Sequence, residues 1–206
     1  MKHILFVSVL FLLVSTSQAQ ETIDAQRPTM TESNTIVGQK VIQAENGSTL
    51  INDSLEFNTF IRFGLTERLE FRIASSFDSP FIVIGGKVFI SEGKKALPGL
   101  SFALDYDLMS GVQNYVFSAT GAPTESMFYT LNFGNDSDWW GIVLAGYSLG
   151  NTSVFAEYKY HENYEQLNGG ITYVIKGEVQ IDVHGGLIDY KTPYIGAGIS
   201  FRLKPF

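Results

Sequence analysis

From Tyr194 to Phe206 the chain alternates: Ile195, Ala197, Ile199, Phe201 and Leu203 are apolar, and Gly196, Gly198, Ser200, Arg202 and Lys204 between them are small, polar or charged. Successive side chains of a strand point to opposite faces, so this segment has one face for an apolar medium and one for a polar one. Val179, Ile181 and Val183 alternate in the same way with Glu178, Gln180, Asp182 and His184. A chain built from such segments is all-β, either a secreted soluble sandwich or a barrel in lipid. Aromatic content favours the barrel, because 16 Phe, 10 Tyr and 2 Trp suit the interfacial girdles of transmembrane barrels.

Both ends of the chain point the same way. Lys2 and His3 precede an apolar run from Ile4 to Val14, and Ser15-Thr16-Ser17-Gln18-Ala19 follows. That is a signal peptide, residues 1–19, with cleavage expected after Ala19. The run is shorter than the roughly 20 apolar residues of a spanning helix. The last strand ends on Phe206, an assembly signal for the machinery that folds outer-membrane barrels. With no Cys in the chain, a lipid anchor, a disulfide framework and thiolate metal ligation are all excluded. The net charge of −7 is carried by scattered residues, which argues against nucleic acid as a partner.

Beyond a polar segment at 20–35, the region 36–206 divides into pieces near ten residues long, the length a tilted strand needs to cross a bilayer. The clearest are 55–63, 69–77, 99–108, 127–133, 153–160, 178–184 and 194–203. Five less regular pieces, 37–45, 81–90, 114–120, 139–149 and 167–175, bring the number to twelve. Twelve is even, as bacterial single-chain barrels require when both termini face the periplasm. Inner turns are then expected at 65–68, 91–98, 120–126, 150–151 and 176–177. Outer loops, modestly longer, fall at 46–54, 78–80, 109–113, 134–138, 161–166 and 187–193. The fold predicted is a transmembrane antiparallel β-barrel of about 12 strands.

Lipid does not accept charge cheaply, so the polar face of each strand must look inward. The lumen-facing candidates are Glu56, Arg62, Glu70, Arg72, Asp105, Asp107, Glu157, Lys159, Glu178, Asp182, His184 and Arg202. Such a lumen of mixed sign has two readings. Its charges pair and fill a closed barrel, or they line a water-filled path and set its selectivity. Twelve strands lie between the packed interior of eight and the open lumen of sixteen.

Three stretches carry a resemblance. Gln26-Arg27-Pro28-Thr29-Met30-Thr31-Glu32-Ser33 is similar to an Asp-Arg-Pro-x-x-Thr-Glu-Ser opening, with Gln26 in place of Asp. Ile42-Gln43-Ala44-Glu45 ends in a Glu typical of a first strand, and Arg62-Phe63-Gly64-Leu65-Thr66-Glu67-Arg68-Leu69-Glu70-Phe71-Arg72 forms a strand, tight turn and strand. Over about a third of the chain these resemble the outer-membrane family described as transporters of the phenol-degradation (MetA) pathway. The resemblance implies a barrel that moves small, aromatic or hydrophobic molecules. The opening motif, Arg27, Pro28, Thr31, Glu32 and Ser33, precedes the first strand. It either folds into the lumen as a plug or hangs as a periplasmic tail, and Pro28 suits a segment kept out of the ladder.

Catalytic chemistry is not indicated, and neither a cofactor nor a metal is implied. His184 has only Asp182 and Gln180 as strand neighbours on its face, and His161 falls in an expected outer loop without a hydroxyl nucleophile in a local motif. Asn135-Asp136-Ser137-Asp138 lacks the remaining ligands of a calcium site. Trp139 and Trp140 are expected in an interfacial belt, with Tyr158 and Tyr160 on the lipid face. The reading is an outer-membrane channel for a small-molecule solute, with lipid and the assembly machinery as partners. The alternatives are a closed structural or surface-interaction barrel and, less favoured, a lipid-modifying enzyme.

Overall fold

A computed structural model describes residues 23–77, 81–94 and 97–204. The signal peptide at 1–19, the expected 78–80 loop and the terminal Phe206 lie outside the described residues. Twelve strands follow one another: β1 (Ile42–Ile51), β2 (Ser54–Thr66), β3 (Leu69–Ser76), β4 (Ile82–Ser91), β5 (Gly99–Asp107) and β6 (Gln113–Gly121), then β7 (Met127–Asn135), β8 (Trp139–Leu149), β9 (Thr152–His161), β10 (Tyr164–Ile175), β11 (Val179–Ile188) and β12 (Thr192–Leu203). Each pairs antiparallel with the next, and β1 pairs with β12 from Ile42↔Leu203 to Ile51↔Tyr194, so the sheet closes on itself without an edge. Closure is what lipid demands, since an unpaired strand would leave main-chain groups unsatisfied in hydrocarbon.

The barrel is inside out relative to a water-soluble domain. Glu45, Arg62, Glu70 and Lys87 are 0% exposed, whereas Phe133 is 57% and Leu203 60% exposed on the outer face. Ile199, midway along β12, is also on that face. Ile199→Arg should therefore cost about 2–4 kcal/mol near the bilayer midplane, and be read as a lower folded fraction in lipid vesicles, where Asp182→Leu folds in higher yield. Equal yields would overturn the assignment of faces.

Two expectations about the strands fail for local reasons. The first strand is not 37–45: a turn closes at Gly38–Val41 through Val41 N–H donating to Gly38 O, with Lys40 at φ 59°, and β1 starts only at Ile42. Asn46-Gly47-Ser48 has the chemistry of a turn yet lies in mid-strand, and the hairpin instead uses Asn52 and Asp53, at φ 47° and 60°, the conformation of a two-residue type I′ turn. The expected loop at 187–193 shrinks likewise to residues 189–191, with Asp189 and Tyr190 at φ 51° and 55°. The outer loops are consequently as short as the inner turns. Orientation rests on the even strand count, which puts the start of β1 and the end of β12 on one rim.

Candidate functional site

Residues 23–41 lie inside the barrel. Ile23 N–H donates to Gly177 O at 2.7 Å on the rim that holds both ends of the sheet, and Lys40 N–H to Gly64 O at 2.9 Å on the way into β1. Between these points the segment enters the lumen, turns at Gln26–Thr29 and returns. Wall side chains hold its main chain. Glu45 accepts from Arg27 N–H at 2.9 Å and Gln180 donates to Arg27 O at 2.8 Å. Asn168 donates to Pro28 O, and Glu157 accepts from Met30 N–H and Thr31 N–H. Farther along, Thr120 accepts from Asn34 N–H and Glu70 from Val37 N–H. An irregular segment tolerates this depth because the wall satisfies its backbone groups in place of water.

The side chains of the opening motif divide between the two sides of the lumen. Arg27 donates to Asn58 Oδ1 at 2.7 Å and lies 3.6 Å from Asp182. Glu32 receives a two-pronged contact from Arg72, at 2.7 and 2.8 Å, and Lys87 Nζ lies 3.2 Å away. The Gln26 amide, turned so that its NH2 faces Glu32 and its oxygen faces Lys87, bridges that pair. Thr31 Oγ1 donates to Glu157, and Ser33 and Thr35 both bond to Asp24. Burial by itself raises the Glu32 carboxyl, but the Arg72 and Lys87 charges outweigh it and hold it at about 2, so it is ionised at neutral pH. A carboxyl depressed in the folded state stabilises the seated segment above its ordinary value near 4.5 and loses that contribution as pH falls toward 2. Resistance of the segment to added protease should therefore fall as the pH drops below 4.5, whereas Glu32→Gln should show no such step.

The side chains of a second cluster all come from the wall. Arg62 donates to Glu70 at 2.8 and 2.9 Å and to Glu45 at 3.4 Å, all three fully enclosed. Of the other sequence candidates, Asp105 reaches Arg72 Nε at 3.4 Å, Glu157 serves the plug, and Lys159 lies over the rings of Trp140 and Tyr164 at 5.3 and 5.1 Å. Arg202 is buried. Glu56 and Glu178 are exposed, and Asp107 accepts bonds from its own turn, from Met109 and Ser110. His184 lies 3.9 Å from Asp182 and 6.1 Å from the Tyr194 ring. His161 is the last residue of β9, bonded to Asp136 at 3.2 Å and stacked on Tyr164.

The lumen is less uniformly polar than the alternation predicts. Ala103, Val116, Trp140 and Ile142 form a buried apolar strip on β5, β6 and β8, and Met30 of the plug packs against it. Trp140 thus leaves the expected belt. Neighbours on a strand face opposite ways, so Trp139 alone is outside, 4.9 Å from the Phe133 ring. A cavity of about 320 Å³ flanks the plug, lined among others by Thr120, Phe128, Thr130, Leu144, Phe155 and Val174.

No family model and no curated protein matches the sequence, and the resemblance of the opening motif rests on the residues that carry it. Solved structures do match. The KdgM porin superposes with TM-score 0.66 at 10% identity, over 77% of this chain and 98% of that one. The NanC porin gives 0.61 at 8% identity, over 79% and 100%. The Acinetobacter baumannii outer-membrane protein Omp33 gives 0.52 at 10% identity, over 80% and 99%. The chain has the fold of outer-membrane porins.

Proposed function

We propose that this protein is an outer-membrane channel for small solutes whose path is closed by its own amino-terminal segment, residues 23–41. The observation that carries the reading is the chemistry of the closure: the segment is held by hydrogen bonds and three ion-paired contacts, Arg27–Asp182, Glu32–Arg72 and Glu32–Lys87, while its buried aliphatic residues, Ile23, Ile36, Val37 and Val41, lie at its two ends and Met30 alone packs into the apolar strip between them. Water can replace polar contacts of this kind group by group, so the middle stretch, residues 24–35, can leave its seat with little apolar surface beyond Met30 exposed, while the aliphatic ends stay anchored. The fold shared with porins supports the location and the role, and one KdgM porin structure is of a complex with disordered oligogalacturonate. The apolar wall beside the plug, with Phe128, Leu144 and Phe155, suits solutes with an apolar or aromatic body.

Single-channel recording in planar bilayers tests this. The refolded wild type should be mostly closed, and Arg27→Ala combined with Glu32→Gln should give long, steady openings. Silence from both, with heat-modifiable gel mobility showing folded barrels, would favour the closed structural barrel.

A further inference from the structure

We infer that Arg72, Lys87 and Asn132 form a carboxylate-binding station in the lumen, that Glu32 is its built-in ligand, and that a carboxylate solute opens the channel by taking the place of Glu32. The inference rests on the channel reading above and adds the substrate class and the means of opening. It follows from how differently the two buried arginines are used. Arg62 spends both prongs on Glu70 of its own wall, and nothing from outside can compete for it without breaking the barrel's own network. Arg72 is held from behind: its guanidinium carbon lies 5.0 Å over the Phe60 ring and its Nε faces Asp105 Oδ1 at 3.4 Å. Gly85 permits that approach, because a Cβ there would overlap Asp105 Oδ1.

Both terminal nitrogens of Arg72 are thereby aimed at the plug, where they meet the two oxygens of Glu32. A planar fork of this kind is matched to a carboxylate in shape as well as charge. Lys87 adds a second cation at 3.2 Å, and Asn132 fixes the same residue's main chain, accepting from Glu32 N–H at 2.7 Å and donating to Glu32 O at 2.8 Å. When Glu32 leaves, Arg62, Arg72 and Lys87 face Glu45, Glu70 and Asp105, so charge balances. The fork itself is unmatched, because Asp105 meets only Nε. An unmatched buried guanidinium is costly, and a small carboxylate supplies what it lacks. The ligand's other end is set by Met30, two residues before Glu32, which packs against the apolar strip of Ala103, Val116, Trp140 and Ile142. The class selected is therefore a carboxylate head with a short apolar or aromatic body.

Glu32→Ala in the full-length refolded barrel vacates the station, and acetate is the probe. Its thermal midpoint, read by heat-modifiable mobility, should rise by several degrees with acetate and saturate, as for a ligand that binds only the folded state. Chloride at equal ionic strength should have no such effect, and wild type should respond far less, because acetate must there displace Glu32 and has no apolar body to take the place of Met30. Adding Arg72→Gln should abolish the response. Equal midpoints in acetate and chloride would overturn the proposal, as would failure of Glu32→Ala to refold even in acetate; refolding only in acetate would support it. Wild type gives the second measurement: benzoate in place of chloride should raise opening frequency in bilayers several-fold, and equal frequencies would count against it. A silent wild type beside an acetate-responsive Glu32→Ala would sink the channel reading and leave the station standing.

Discussion

Replacing Arg62 by methionine should destabilise the folded barrel by about 3–5 kcal/mol, the range for removing one partner of a buried ion pair. Methionine keeps much of the volume, so the loss isolates the charge. Among the described residues Arg62 is the one cation bonded to Glu45 and Glu70 together, and both carboxylates are 0% exposed. It also donates to the main-chain oxygens of Asp24 at 2.9 Å and Thr35 at 3.4 Å, so the plug loosens with the wall. Urea titration in lipid vesicles, followed by tryptophan fluorescence, measures the effect. Arg62→Met with Glu70→Leu should recover a large part of it, because a buried pair replaced by apolar groups is close to neutral. Glu45 then keeps Gln43 at 2.8 Å and the Arg27 main-chain N–H. A single-variant loss below about 1 kcal/mol, the scale of an exposed pair, would mean that water reaches these carboxylates.

Much of this arrangement is legible in the chain. Alternation in β11 and β12 gives strand type, faces and the inside-out character directly, because one-residue slips would put Asp182 or Arg202 into lipid. Twelve strands follow from segment length, and the fold shared with the KdgM and NanC porins is the one the alternation predicts. Three things escape. Asn46-Gly47 reads as a turn, since local chemistry cannot distinguish a glycine that bends the chain from one that makes room for a neighbour. Trp140 and Ile142 sit among apolar residues on both faces of β8, where alternation carries no signal, so the apolar strip of the lumen is invisible. The plug leaves both its arrangements open because its contacts are with residues as many as 170 positions away. The motif names Arg27 and Glu32, but only the fold shows that one faces Asp182 and the other Arg72.

Gly47→Ala should unseat the plug without touching a charge. Gly47 and Gly198 are register partners across the β1–β12 closure, and the Arg27 guanidinium lies flat on the pair: a Cβ on Gly47 would overlap its carbon and both terminal nitrogens. The backbone accepts alanine there, since no left-handed φ is required of Gly47, and alanine in mid-strand is no weaker than glycine. Folding yield should therefore be unchanged while Arg27 is pushed from Asn58 Oδ1, Ala197 O and Asp182. Hydrogen bonds to a charged group are worth about 1.5–3 kcal/mol, so the ratio of open to closed time in planar bilayers should rise by about ten- to a hundred-fold. The cause is separable by a double-mutant cycle. If the glycine acts through Arg27, Gly47→Ala adds nothing in an Arg27→Ala background; a full additional increase there would place its effect elsewhere in the wall and remove the seat from the mechanism.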